Sequence, residues 1–309
     1  MTAVLLAGIS GVNLRSAALP FLAGAGVAAA IAIAFMPRPE QDAPVRAASV
    51  VDLSRFETFG LALPALGVPR TVRVYLPPGY AECKDCRYPV LYFMDGQNVF
   101  DAATSYAGEW GADEVLDGLH EKHGLAVIAV AIDHGGEARM QELSVWPNPE
   151  FAPAKGEAFL ADLIGTVKPA VDARYRTQPE AAATVIAGSS MGGLMAHAAV
   201  MRHPEVFGQA LVFSPSYWFS PAIAEETAST PLRSGQRVYM YVGGAEGGGM
   251  QPDAEAMAER WKATLPDGAA LQFTASAKAE HNETAWRAAL PKALCWSFAP
   301  ACDTAVPTP

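Results

Sequence analysis

A serine becomes a useful nucleophile when the backbone throws its hydroxyl clear of its neighbours and a base lies within reach. Residues 184 to 204, TVIAGSSMGGLMAHAAVMRHP, have the composition for the first condition. Gly188, Ser189, Ser190, Met191 and Gly192 form a Gly-x-Ser-x-Gly turn whose glycines leave room for the segments on either side to approach closely. Thr184, Val185, Ile186 and Ala187 read as a short buried strand, and Leu194, Met195, Ala198, Ala199 and Met201 recur at helical spacing. The pentapeptide is common by chance, and Ser189 and Ser190 are also of the type that caps a helix. The strand before and the helix after make Ser190 the candidate nucleophile.

The base has six histidines to come from. His197 lies two turns into the helix after Ser190, facing away from its tip, and His203 ends that helix before Pro204, where a positive charge suits the dipole. His120 and His123 fall at a surface helix terminus, and His134 follows a predicted strand at the rim. His281 lies between the last predicted strand and the final helix, which suits a base when the chain order is nucleophile, acid, base. The acid then belongs after the strand at 237 to 242. Glu246 is nearest that strand end, in Gly243-Gly244-Ala245-Glu246-Gly247, and its glycines let the loop curl beneath an imidazole. Asp253 is the alternative, with an equal claim to be the first-turn charge of the next helix. Glu246 is preferred on position. Two main-chain N–H groups must meet a developing oxyanion, and the sequence offers those of Met191, directly after Ser190, and Gln97, after Asp95-Gly96.

The elements that must hold these residues alternate. Strands are predicted at 71–76, 88–94, 125–132, 184–187, 209–213, 237–242 and 271–275, and helices at 113–120, 157–172, 253–264 and 283–298. Such alternation implies an α/β fold with a mostly parallel sheet, helices on both faces, and a more meandering strand at its start. Ligands of these sheets bind beyond the carboxyl ends of the strands, where every candidate above falls.

Composition narrows the class. A net charge of -10 without any basic run excludes a nucleic-acid surface, and 51% hydrophobic residues against 17% charged ones suffice for one large core over residues 49–309. Residues 1–48 read as targeting. The stretch 17–36, AALPFLAGAGVAAAIAIAFM, carries no charge and precedes a Pro-rich linker; it is either a signal sequence, with cleavage near Val45-Arg46-Ala47, or an uncleaved anchor in the inner membrane. Export to the periplasm or beyond is the favoured expectation. The four cysteines fall into two close pairs, Cys83 with Cys86 and Cys295 with Cys302, for which local disulfides are the simplest of three connectivities. A zinc site using all four thiolates is the alternative, lacking matched spacing.

Five runs together resemble a known family: MDGQNVFDAATSYAGEWGADEVLD (94–117), IDHGGEARMQELSVW (132–146), GSSMGG (188–193), HPEVFGQALVFSPSYWF (203–219) and AEHNETAWRAAL (279–290). They are similar to the esterase family of α/β-hydrolases that includes enterobactin-type siderophore esterases, S-formylglutathione hydrolases, feruloyl and acetyl-xylan esterases and mycolyltransferases, over about residues 70 to 298. The resemblance implies an α/β-hydrolase fold, a triad of Ser190, His281 and Glu246, where relatives more often carry Asp, and oxyanion donors at Gln97 and Met191. It also implies that Trp110, Arg139, Glu142 and Trp218 line or support a substrate cleft, and that no metal or organic cofactor takes part. Met94 stands where close relatives usually have His, and Leu143 and Val145 replace a Tyr and a Pro. The expected substrate is a small-molecule ester, of siderophore type or with a short acyl or cinnamoyl group. An acyltransferase on the same machinery, and an exported binding protein that has lost turnover, stay open at this point.

Overall fold

A computed structural model describes residues 53–106, 108–298 and 302. The expected targeting segment 1–48, with its apolar stretch 17–36, lies outside the described residues. Among the described residues no helix is long and apolar enough to cross a membrane.

The sheet opens on an antiparallel pair. β1 (Phe56–Leu63) turns through Gly67, at φ 73°, into β2 (Val68–Tyr75), in register from Phe56 opposite Tyr75 to Leu63 opposite Val68. The Asp162 carboxylate pins the turn by accepting from the N–H groups of Ala65 and Leu66, at 3.0 and 2.8 Å. The remaining strands are β3 (Val90–Phe93), β4 (Ile128–Ile132), β5 (Thr184–Ser189), β6 (Gln209–Phe213), β7 (Arg237–Gly243) and β8 (Ala270–Ser276). β2 pairs antiparallel with β4, and every later pairing is parallel, giving the order β1-β2-β4-β3-β5-β6-β7-β8. The sequence reading begins the sheet at Thr71 and does not anticipate β1. That strand is a half-exposed edge, with Glu57 pointing outward and Gly60 in its middle, so its alternation is weak.

Helices cover both faces: α1 (Ala112–His123), α2 (Arg139–Glu142), α3 (Gly156–Asp162), α4 (Lys168–Arg174), α5 (Met191–Arg202), α6 (Ala222–Ser229), α7 (Met250–Ala263) and α8 (Glu283–Phe298). Because successive strand residues point to opposite faces, Val90, Tyr92, Ile186, Val212 and Met240 join one core with Leu160, Leu194 and Trp261. Leu91, Phe93, Val185, Leu211 and Tyr239 join the other, with Leu116, Leu290 and Leu294. The helix expected over 157–172 is interrupted by a π turn, Leu163–Val167, which ends two residues ahead of Pro169, a residue with no N–H to continue the ladder. Cys83 with Cys86, and Cys295 with Cys302, lie at disulfide distance.

α5 is buried nearly all round because it packs against β5 and β6, while Trp146, Tyr217 and Trp261 close around its His197. Its His197 is fully buried and stacks on the Trp261 indole at 4.1 Å. Thr227 Oγ1 donates to Ile223 O, so it accepts from His197 Nε2 at 2.9 Å; the Tyr217 hydroxyl then donates to Nδ1 at 2.8 Å. Burial holds the His197 pKa down at about 3, and the ring is neutral. As pH falls below the ordinary histidine value of 6.5, the unfolded chain takes up a proton that the native chain refuses, so native stability declines towards pH 3. His197→Gln is expected to cost about 2 kcal/mol at neutral pH yet to flatten the decline in Tm between pH 6.5 and about 4.5, followed by thermal unfolding. Parallel declines in both proteins would contradict this assignment.

Candidate functional site

The elbow after β5 is a tight one. Ser190 adopts φ 56° and ψ −120°, a conformation that L residues rarely hold. It persists because both of its main-chain groups are bonded, with Ser190 N–H donating to Phe213 O and Leu194 N–H donating to Ser190 O, each at 3.0 Å. The flanking glycines are required by space. A Cβ on Gly188 would lie 2.5 Å from the carbonyl of Gly192, and one on Gly192 would lie 2.9 Å from the Asp95 carboxylate and from Met94 Cβ. The sequence reading of these two glycines rests on the same steric argument.

The residues predicted to act with Ser190 lie on loops at the same end of the parallel sheet. His281 follows β8 and Glu246 follows β7. His281 Nδ1 is 2.7 Å from Glu246 Oε2, and the Glu246 side chain is fully buried while the imidazole is about one-third exposed, at 32%. The other carboxylate oxygen accepts from the Ser214 hydroxyl and from the Gly243 N–H. The Trp286 indole N–H in turn donates to Ser214 Oγ at 2.9 Å, and the His281 ring meets the Trp286 ring edge-on at 5.0 Å. Asp253 sits in the first turn of α7, with its N–H bonded to Gly249 O. Glu246 therefore, and not Asp253, is the carboxylate in contact with His281.

The Ser190 hydroxyl is bonded to Ser216 Oγ at 3.2 Å rather than to His281. Met191 opens α5, so its N–H has no intrahelical acceptor. Gln97 lies in the one-turn helix Gly96–Asn98 after β3. Its side-chain amide is fully engaged with the main chain of His134, donating to His134 O and accepting from His134 N–H, both at 3.1 Å. With the Gln97 carbonyl accepting from the Thr104 hydroxyl at 2.8 Å, that clamp leaves the main-chain N–H as the group of Gln97 available to a substrate.

The four residues expected to line or support a cleft differ in burial and partners. Trp110 is buried, stacked on Trp286 at 5.8 Å and edge-on to Phe213 at 4.9 Å. Glu142 is buried, its carboxylate taken up by Arg70 and the Gly135 N–H. Arg139 makes a two-point ion pair with Asp95 at 2.7 and 2.8 Å, which fixes the loop that carries Gln97. Trp218 alone of the four is exposed, on the loop that carries Ser216.

Sequence reasoning passed over Ser214, Ser216, Trp286, Asn98 and Glu283. Glu283 is buried two residues beyond His281, its carboxylate 3.3 Å from the Asn98 amide, and burial, with the negative charge of Asp95, raises its pKa. A signal for Ser214 and Ser216 existed in principle, since they directly follow β6 between the nucleophile strand and the acid strand. One group among the described residues, His123 with Cys295 and Cys302, has the spacing to hold a metal ion, but the two sulfurs lie at disulfide distance from one another.

Comparison with known proteins bears on what this arrangement does. A family model described as "Putative esterase" matches residues 64–297. The siderophore triacetylfusarinine C esterase of Aspergillus fumigatus is 28% identical over 162 residues, which is 50% of this chain and 53% of that protein. An endo-1,4-beta-xylanase/feruloyl esterase of Xylanibacter ruminicola is 28% identical over 147 residues, 46% of this chain and 19% of that one. The chain thus spans about half or less of these two curated relatives. The crystal structure of the enterobactin esterase from Shigella flexneri, determined in the presence of enterobactin, matches with a TM-score of 0.66 at 19% identity, over 86% of this chain and 64% of that one. The fold is accordingly the α/β-hydrolase fold expected from the sequence.

The bond between His281 and Glu246 is open to a direct test. The Nδ1 proton donated to a buried carboxylate is expected to give a far-downfield proton resonance, absent in Glu246→Gln and retained in Asp253→Asn. Glu246→Ala, which strands the Ser214 hydroxyl and the Gly243 N–H, is expected to lower stability by about 2 kcal/mol in denaturant unfolding. A downfield signal that survives loss of Glu246 would remove that residue from the pair.

Proposed function

Because the chain belongs to that esterase family, we propose that it cleaves a carboxylic ester in two steps through an acyl group carried on Ser190. The observation that carries this reading is the 2.7 Å bond from His281 to a fully buried Glu246, on loops at the strand ends where the strained Ser190 turn also lies. The buried carboxylate accepts the Nδ1 proton and so leaves Nε2 as the lone-pair nitrogen, the tautomer a general base needs. The Ser190 hydroxyl, with its oxygen still beside Ser216, then turns its proton towards Nε2 and gives it up as Oγ attacks the ester carbon. The carbonyl oxygen becomes an oxyanion, which the main-chain N–H groups of Met191 and Gln97 stabilise. Collapse expels the alcohol with the proton from His281, and water repeats the sequence to free the acid.

The residues themselves supply every group in this scheme. The relatives support a small-molecule ester, of siderophore type or with a short acyl or cinnamoyl group, and the exposed Trp218 offers an aromatic face beside Ser216. The uncharged stretch 17–36 supports export, with residues 49–309 as the esterase domain.

The full chain is expected to hydrolyse p-nitrophenyl acetate and butyrate, and Ser190→Ala and His281→Ala are each expected to lower kcat/KM by about a thousandfold or more at unchanged circular dichroism. A wild-type chain no faster than both variants would overturn the proposal.

A further inference from the structure

The Ser190 hydroxyl has a neighbour for which the triad gives no account. Ser216 is 1% exposed, and its Oγ is 3.2 Å from Ser190 Oγ. The neighbour is held in place by its own backbone. Ser216 N–H donates to Ser190 O at 3.2 Å, and Ser216 O accepts from Phe219 N–H at 3.0 Å. A hydroxyl fixed against the reacting atom costs little to reorganise when charge appears there.

Proton counting decides which way this bond points during the reaction. When Ser190 attacks, its proton goes to His281 and is not available to Ser216. In the acyl-enzyme Ser190 Oγ is an ester oxygen with no proton, and it only accepts. The contact therefore survives both reactive states with Ser216 as the donor. We propose that Ser216 is a further catalytic residue, whose hydroxyl donates to Ser190 Oγ and stabilises that oxygen as the leaving group when the acyl-enzyme is hydrolysed. This rests on the reading of Ser190 as the nucleophile.

The effect falls unequally on the two steps. In hydrolysis of the acyl-enzyme, water gives a proton to His281 Nε2 as its oxygen bonds to the acyl carbon. The C–Oγ bond then breaks, the electron pair stays on Oγ, and Oγ recovers the proton from His281 while the acid departs. Negative charge grows on Oγ in that collapse, and a donor there lowers the barrier. In formation of the acyl-enzyme the same donor competes for the lone pair that attacks, so its help largely cancels.

The test is stopped-flow hydrolysis of p-nitrophenyl butyrate by the full chain. Ser216→Ala is expected to release a burst of about one nitrophenolate per active site and then turn over about tenfold more slowly than wild type, with KM falling in step and kcat/KM changed by less than about threefold. Ser216→Cys, which keeps a weaker donor, is expected to lie between, and it carries the test if Ser216→Ala does not fold. An unchanged kcat, or kcat/KM falling as far as kcat, would overturn the role of Ser216. Ser190→Ala separates this from the parent reading: a burst that persists there would mean that Ser190 is not the nucleophile.

Discussion

The site depends on how one buried carboxylate is satisfied. Glu246 has a fully buried side chain, and an unpaired charge in that position costs several kcal/mol. Its donors come from separate parts of the fold: the Ser214 hydroxyl beyond β6, the Gly243 N–H at the end of β7, and His281 beyond β8. Trp286 of α8 backs Ser214, so the helix that follows His281 is drawn into the same network. Meeting the needs of one side chain therefore sets the positions of three strand ends and a helix. Gly243 makes the arrangement sterically possible, since a Cβ there would lie 2.8 Å from Glu246 Oε1 and 2.3 Å from Ala279 O.

The other half of the site depends on close backbone packing. The unusual dihedrals of Ser190 are held by the carbonyl of Phe213 on β6 and by the first turn of α5, while Gly192 lets α5 sit against Met94 and Asp95. Asp95, itself at φ 57°, is fixed by Arg139, and Gln97 is fixed by the main chain of His134. The two halves meet in the tripeptide after β6. Ser214 holds Glu246 and Ser216 touches Ser190, with Pro215 between them. Small errors at either end would be felt at both, which is how a sheet edge can act as a rigid mount for groups distant in sequence.

Much of this was legible beforehand, for reasons that differ by residue. Ser190 stood out because its signature is local: an apolar strand, two glycines and a helix within about twenty residues. His281 and Glu246 were reachable because chain order and strand ends restrict where a base and an acid lie, although the choice of Glu246 over Asp253 rested on position alone. β6 and α8 were read with their observed limits because both are strongly apolar or strongly periodic. β1 was missed because an edge strand buries too little to show a pattern, and the break before Pro169 was missed because a π turn leaves the apolar spacing of a helix nearly intact.

What the sequence determined by itself was the order of elements, the tight turn at Ser190 and the short lists that contain His281 and Glu246, because these follow from periodicity, steric need and connectivity along the chain. The tertiary structure alone decided which carboxylate meets His281, that Trp110 and Glu142 are buried, that the side chain of Gln97 is turned away into the His134 loop, and that Ser216 touches Ser190. Those outcomes depend on contacts between residues far apart in the chain, such as Ser190 with Ser216, 26 positions on, and Trp110 with Trp286, 176 positions on. Spacing along a chain carries no such distances until parallel strands and their crossovers bring the loops to one edge of the sheet.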